Sequence, residues 1–369
     1  MAVEFKDLTL REGTQVPGVD VDEADGRRVL DALADLGVER VEVAFPRARR
    51  REAWFRHADD LGLRTAALAR AVPADVEAAL EVDPDEVEVI VNASDVQLEY
   101  ALGKSRAEAL DLLVENVERV RGAGVAAGGT LMDAIRADDE FLREGTRALA
   151  DAGARHVTLA DTTGAGTPGT VRETVAAVVD AAGDDLDVAI HTHDDMGVAA
   201  ANALAAVDAG VTSVDATVGG VGERAGNAPL EEVAVLLAER GDGVALDREC
   251  LVPACRRAYG ALRGEVPESK PVIGTRPYRH ESGLHTAAML REPSTYEPFD
   301  PSRYGAEREL LFGEGTGRGA VRALLDAAGV DPTDDRVATA LDAVRSAASA
   351  KGAPLTLAEA RETVREATA

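Results

Sequence analysis

The sequence of 369 residues is 46% hydrophobic and carries a formal charge of −27. That length suits one large barrel of about 250 residues with an appendage of roughly 100, and no stretch approaches the ~18 uninterrupted apolar residues of a membrane helix. The acidity argues against nucleic acid as a partner, because that affinity rests on Lys and Arg neutralising phosphates.

Lysine occurs only at Lys6, Lys104, Lys270 and Lys351. A surface rich in carboxylates and poor in Lys is the pattern of proteins from salt-saturated cytoplasms, where a Debye length of about 3 Å screens self-repulsion. Residues 1–6 pass directly into a strand-like pattern without a basic segment and an apolar segment, so a cytoplasmic location is expected. Cys250 and Cys255 fit neither a Cys-x-x-Cys site nor a disulfide framework and read as packing residues.

In chain order the expected strands are 5–10, 40–44, 64–68, 86–91, 125–131, 156–160, 188–192 and 213–218. Amphipathic helical patterns separate them, among them 23–36, 74–80, 105–121, 139–152, 168–182, 199–209 and 230–239. The alternation of strand and helix predicts an α/β fold, a (β/α)8 TIM barrel. A doubly wound sheet is disfavoured, because Arg11-Glu12-Gly13-Thr14-Gln15 after the first strand is no Gly-rich phosphate fingerprint. Gly264, Pro267, Pro271, Gly274 and Pro277 crowd one stretch, which places a barrel at 1–262, a linker at 263–278 and a mainly helical lid region at 279–369.

Barrel enzymes carry their chemistry at the C-terminal ends of the strands. His191 and His193, two apart on strand seven, point to one face and are expected to grip one metal, with Glu12 from strand one as third ligand and the carbonyl of Asn227 as an additional one. This N and O donor set suits Zn, Mn, Mg or Co without choosing among them. Arg11 reaches the same cavity, where a guanidinium stabilises a developing enolate or alkoxide; a strand-end salt bridge is its alternative reading.

Asp7-Leu8-Thr9-Leu10-Arg11-Glu12-Gly13-Thr14-Gln15, His191-Thr192-His193-Asp194-Asp195-Met196-Gly197 and the stretch 219–227 together resemble the homocitrate, 2-isopropylmalate and citramalate synthase family, a branch of the DRE-TIM metallolyases. His280 to His285, Pro293 to Glu297 and Gly315 to Arg318 are similar to its later segments. The resemblance implies a metal-dependent Claisen condensation of acetyl-CoA with a 2-oxo acid, followed by thioester hydrolysis, in a homodimer. It assigns Arg11 to charge stabilisation, and Glu12, His191 and His193 to one divalent ion with Asn227 as a fourth ligand. It also gives Gln15 and Thr162 to substrate, Arg136 to the substrate's distal end, and His285 with Tyr296 to proton transfer.

Branch features point in different directions. Glu12 is similar to the homocitrate synthases, whereas Ala67-Leu68-Ala69-Arg70 resembles the isopropylmalate and citramalate branch. Met132-Asp133 replaces a Glu-Asp pair and removes a polar contact. Two alternatives stay open: a lyase related to 3-hydroxy-3-methylglutaryl-CoA lyase, which Asp161 to Gly169 resembles, and a non-catalytic metal-binding homologue. Against the lyase, Glu223-Arg224-Ala225 stands where those enzymes carry a Cys.

Overall fold

Valine alternates with charged residues in Arg-Val-Glu-Val-Ala and in Glu-Val-Glu-Val-Ile-Val-Asn, so each of these strands has two unlike faces. In the computed structural model, which describes residues 2–369, they are β2 and β4 of a closed parallel barrel. Its strands are β1 Ala2–Asp7, β2 Arg40–Ala44, β3 Arg64–Arg70, β4 Glu86–Asn92, β5 Ala126–Met132, β6 His156–Asp161, β7 Asp187–Thr192 and β8 Ser213–Ala216. β1 closes the ring by pairing with both β8, at Phe5 and Val214, and β2, at Lys6 and Arg40. Helices such as Glu23–Asp35, Arg106–Gly122 and Pro168–Ala182 follow the strands and bury apolar stripes, Val29, Leu30 and Leu33 in the first of them. The barrel belongs to a unit Met1–Val266, and Pro267–Ala369 forms a second compact unit.

The lumen is charged. Lys6 Nζ lies 3.2 Å from Glu88, 3.2 Å from Asp215 and 3.5 Å from Glu42, all of them buried. Burial alone would lower the Lys6 pKa, but Asp215, Glu88 and Glu42 overcome it and hold the ammonium charged. His156 joins through a 2.8 Å contact to Glu88. Gly128 makes room for that pair, since a Cβ there would stand 2.4 Å from the His156 ring and 2.6 Å from Glu88.

Two expected strand boundaries change, and the second unit is mainly helical as expected. Strand one was expected over 5–10, but β1 ends at Asp7, because the Asp7 carboxylate accepts from Thr9 N at 2.9 Å and Thr9 Oγ1 at 2.7 Å and turns the chain. Arg11 and Glu12 therefore sit on a short helix, Thr9–Gly13, above the strand. Strand eight was expected over 213–218, but β8 ends at Ala216, and a 3-10 turn at Val218–Gly220 follows. The second unit has helices Gly283–Met289, Arg318–Ala327, Asp334–Lys351 and Leu357–Thr368, and also a small sheet of Arg279–His280, Glu309–Phe312 and Leu355–Thr356. Phe312, Leu324, Val337, Val344 and Val364 form its core.

Candidate active site

The turn begun by Asp7 lifts Glu12 to the barrel mouth, where it meets the end of β7. His191 is within β7, whereas His193 lies one residue beyond it and is held by a bridge to Asn227. The two Nε2 atoms are 3.2 Å apart, and Glu12 Oε1 is 3.8 Å from His191 Nε2. All three residues are buried, and a ligand atom from each lies within 4.8 Å of the others. Asp215 Oδ2 is 3.7 Å from His191 Nδ1, the placement of a carboxylate that orients a ligating imidazole.

Among the described residues, Glu12 Oε2 and Asn227 Oδ1 are buried without a hydrogen-bond partner. Buried polar atoms are normally satisfied, so this cluster of bare donors has the composition of a divalent metal site, and the residues fit such an ion. Asn227 Nδ2 donates to Val221 O at 3.1 Å, which leaves Oδ1 as the available atom. Gly222 permits that approach, since a Cβ there would be 2.1 Å from Asn227 Nδ2.

Burial would raise the Glu12 carboxyl, but the Arg11 guanidinium beside it outweighs burial and holds it below its ordinary value. Burial also pushes His193 down to about 3, so its imidazole is neutral. Arg11 Nε donates to Glu42 at 2.6 Å and its Nη1 pairs with Glu12. The strand-end ion pair and the place at the cavity therefore coexist in one residue.

Arg11, Glu12, His191 and His193 line a cavity of about 160 Å³, whose lining does not include Asn227. Gln15 and Thr162 line it as well; Thr162 Oγ1 accepts from Asp133 N at 2.8 Å. Arg136 is outside this lining, because buried Asp133 holds its Nε at 2.9 Å and its Nη2 at 2.6 Å. His285 and Tyr296 belong to the second unit, where their rings stack at 3.8 Å. Sequence reading missed Glu42, Glu88, Asp215, Thr130 and Thr158, which also line the cavity. The available signal was a charge every second residue in β2 and β4, which marks a lumen face.

The sequence matches the HMGL-like family model over residues 2–254 and the model described as homocitrate synthase post-HMGL domain-like over residues 272–352. The chain belongs to the homocitrate, 2-isopropylmalate and citramalate synthase family. It is 38% identical to homocitrate synthase AksA of Methanopyrus kandleri over 92% of this chain and 86% of that protein. It is 33% identical to 2-isopropylmalate synthase of Sulfolobus acidocaldarius over 97% of this chain and 94% of that protein. Among solved structures, the HMG-CoA lyase of Brucella melitensis superposes with a TM-score of 0.62 at 27% identity, covering 70% of this synthase-family chain and 98% of the lyase. Among the described residues no helix is long and apolar enough to cross a membrane.

Proposed function

We propose that this synthase condenses acetyl-CoA with a 2-oxo acid whose side chain is short and apolar, and then hydrolyses the thioester. The observation that carries the reading is the convergence of Glu12, His191, His193 and Arg11 on one cavity. Glu12, His191, His193 and Asn227 would hold a divalent ion, which supplies Lewis acidity toward the keto oxygen of the substrate. Arg11 offers a fixed guanidinium to the oxygen on which negative charge develops. Thr162 presents its hydroxyl to the substrate carboxylate. By the family resemblance, His285, stacked on Tyr296, takes a proton from the acetyl methyl group, and the keto oxygen gains a proton and ends as a hydroxyl. The methyl carbon bonds to the keto carbon, and water then cleaves the thioester and releases the CoA thiol.

The side-chain preference rests on the wall of the cavity. Leu68, Ile90, Met132 and Ala160, from β3 to β6, form an apolar strip, and Glu42, Glu88 and Asp215 lie in the same lining. Arg11 is the one guanidinium of that lining, and it is already paired with two carboxylates. A second carboxylate on the substrate would be desolvated there without a cation. Met132 thus reads as part of an apolar wall in an active enzyme rather than as the mark of an inactive homologue.

The match of residues 272–352 to the homocitrate synthase domain supports condensation over cleavage, since the lyase of Brucella covers only 70% of the chain. The test is thiol release from acetyl-CoA in the presence of pyruvate, 2-oxobutyrate, 2-oxoisovalerate or 2-oxoglutarate, with added divalent metal. Release dependent on an apolar 2-oxo acid is expected. Cleavage of 3-hydroxy-3-methylglutaryl-CoA without any condensation would overturn the reading.

A further inference from the structure

The loop after β2 carries Arg47, Arg49, Arg50 and Arg51, a concentration of positive charge in a chain whose net charge is −27. Three of the four have carboxylate partners. Arg47 lies 3.5 Å from Asp75, Arg50 pairs with Glu81, and exposed Arg49 lies 3.4 Å from exposed Asp20. Arg51 differs. Among the described residues no carboxylate is within ion-pair distance of it, and its Nε and Nη2 are shielded from solvent without a hydrogen-bond partner. Its guanidinium lies 4.2 Å over the ring of buried Trp54, and its backbone is left-handed at φ 51. A non-glycine residue takes that conformation at a cost, which the surroundings must impose.

Arg51 is also the N-cap of the helix Glu52–Asp60; its carbonyl accepts from Trp54 N at 2.8 Å, but its side chain makes no capping hydrogen bond, so the N–H groups of Glu52 and Ala53 are left for another acceptor. Arg49 and Arg51 line a cavity of about 430 Å³ together with Trp54. Arg11, Gln15 and Glu223 line this cavity and the candidate active-site cavity alike, so the two adjoin.

We infer that this second cavity receives the phosphate groups of the coenzyme A carrier, with Arg51 as their main partner and Arg49 at the edge. The inference rests on the synthase reading and extends it to the anionic end of the acyl donor. An unpaired, partly desolvated guanidinium beside an uncapped helix terminus is matched by a multivalent anion. The shared wall of Arg11 and Gln15 allows one extended ligand to occupy both cavities, its thioester at the metal-ligand cluster and its phosphates at Arg51.

The experiment is titration calorimetry of CoA into the full chain at constant ionic strength, for the wild type, Arg51→Met, Arg51→Lys and Arg49→Gln. Steady-state kinetics with acetyl-CoA and with phosphate-free S-acetyl-pantetheine accompany it. Arg51→Met is expected to weaken CoA binding on the order of tenfold, the size of a lost charge-assisted contact, and Arg51→Lys to retain part of it. The wild-type preference for acetyl-CoA over S-acetyl-pantetheine should shrink by a similar factor, with KM for the 2-oxo acid unmoved. Inorganic diphosphate should compete with CoA in the wild type and lose that ability in Arg51→Met. If Arg51→Met does not fold, Arg49→Gln, at an exposed position, carries the test with a smaller loss. Unchanged CoA affinity in folded variants overturns the inference and leaves the synthase reading standing. A rise in KM for the 2-oxo acid alone overturns it too, and places a substrate carboxylate at Arg51. Absence of CoA binding in the wild type removes both.

Discussion

His191 and His193 bring their Nε2 atoms to 3.2 Å from each other. Two imidazole nitrogens gain little from such proximity unless a proton or a cation lies between them, and Glu12 supplies the negative charge a divalent ion needs. The purified chain is expected to hold one divalent ion, and a His191→Ala, His193→Ala double variant to lose it together with turnover. Elemental analysis after dialysis measures this, and full metal content in the double variant would remove the assignment.

Lys6 compensates buried carboxylates, so its loss should be felt by the whole barrel. Lys6→Met is expected to cost about 3–5 kcal/mol, the usual penalty of leaving buried charge unpaired, read from denaturant unfolding at neutral pH. The acid limb has a defined sign. Burial would raise Glu88, but Lys6 and His156 hold it well below the ordinary glutamate value of 4.5. A depressed carboxyl contributes stability that is present above its unfolded pKa and is lost as pH falls through the folded one. The difference between wild type and Lys6→Met should therefore shrink as pH falls below 4.5; a difference independent of pH would count against this network.

The apolar strip predicts an order of substrates. Pyruvate, 2-oxobutyrate or 2-oxoisovalerate should exceed 2-oxoglutarate in kcat/KM on the order of a hundredfold, because a buried carboxylate without a partner is costly. Leu68→Lys, which adds a cation to that strip, should narrow the gap by about tenfold. Equal rates for the mono- and dicarboxylic acids would sink the specificity reading while keeping the condensation.

The place of His285 in the reaction is open to a direct measurement. His285→Ala should lower kcat on the order of a hundredfold or more if it moves the proton. Mixing it with Arg11→Ala during refolding should restore part of the activity where a neighbouring subunit supplies the lid, since one hybrid site then holds both intact residues. Normal kcat in His285→Ala would remove the residue from the mechanism.

Charge −27 with so few lysines predicts salt dependence. The melting temperature should rise steeply between about 0.1 M and 2 M KCl as carboxylate repulsion is screened. A flat profile would assign the acidity to an ordinary soluble surface.

What the sequence by itself determined was periodic or local. Strand–helix alternation set the barrel, and expected boundaries matched within a few residues except where Asp7 ended β1 early and the glycines at 219 and 220 ended β8. The metal-ligand candidates were legible because His191 and His193 are two apart and Glu12 lies at the end of the opening motif. Tertiary structure alone decided the pairings. Lys6 meets Glu88 across 82 residues, Arg11 meets Glu42 across 31, and among the described residues Arg51 meets no carboxylate in a loop whose other arginines do. Local periodicity tells which face a side chain takes, but barrel closure sets which charges share that face, and desolvation there makes each partner, or its absence, matter.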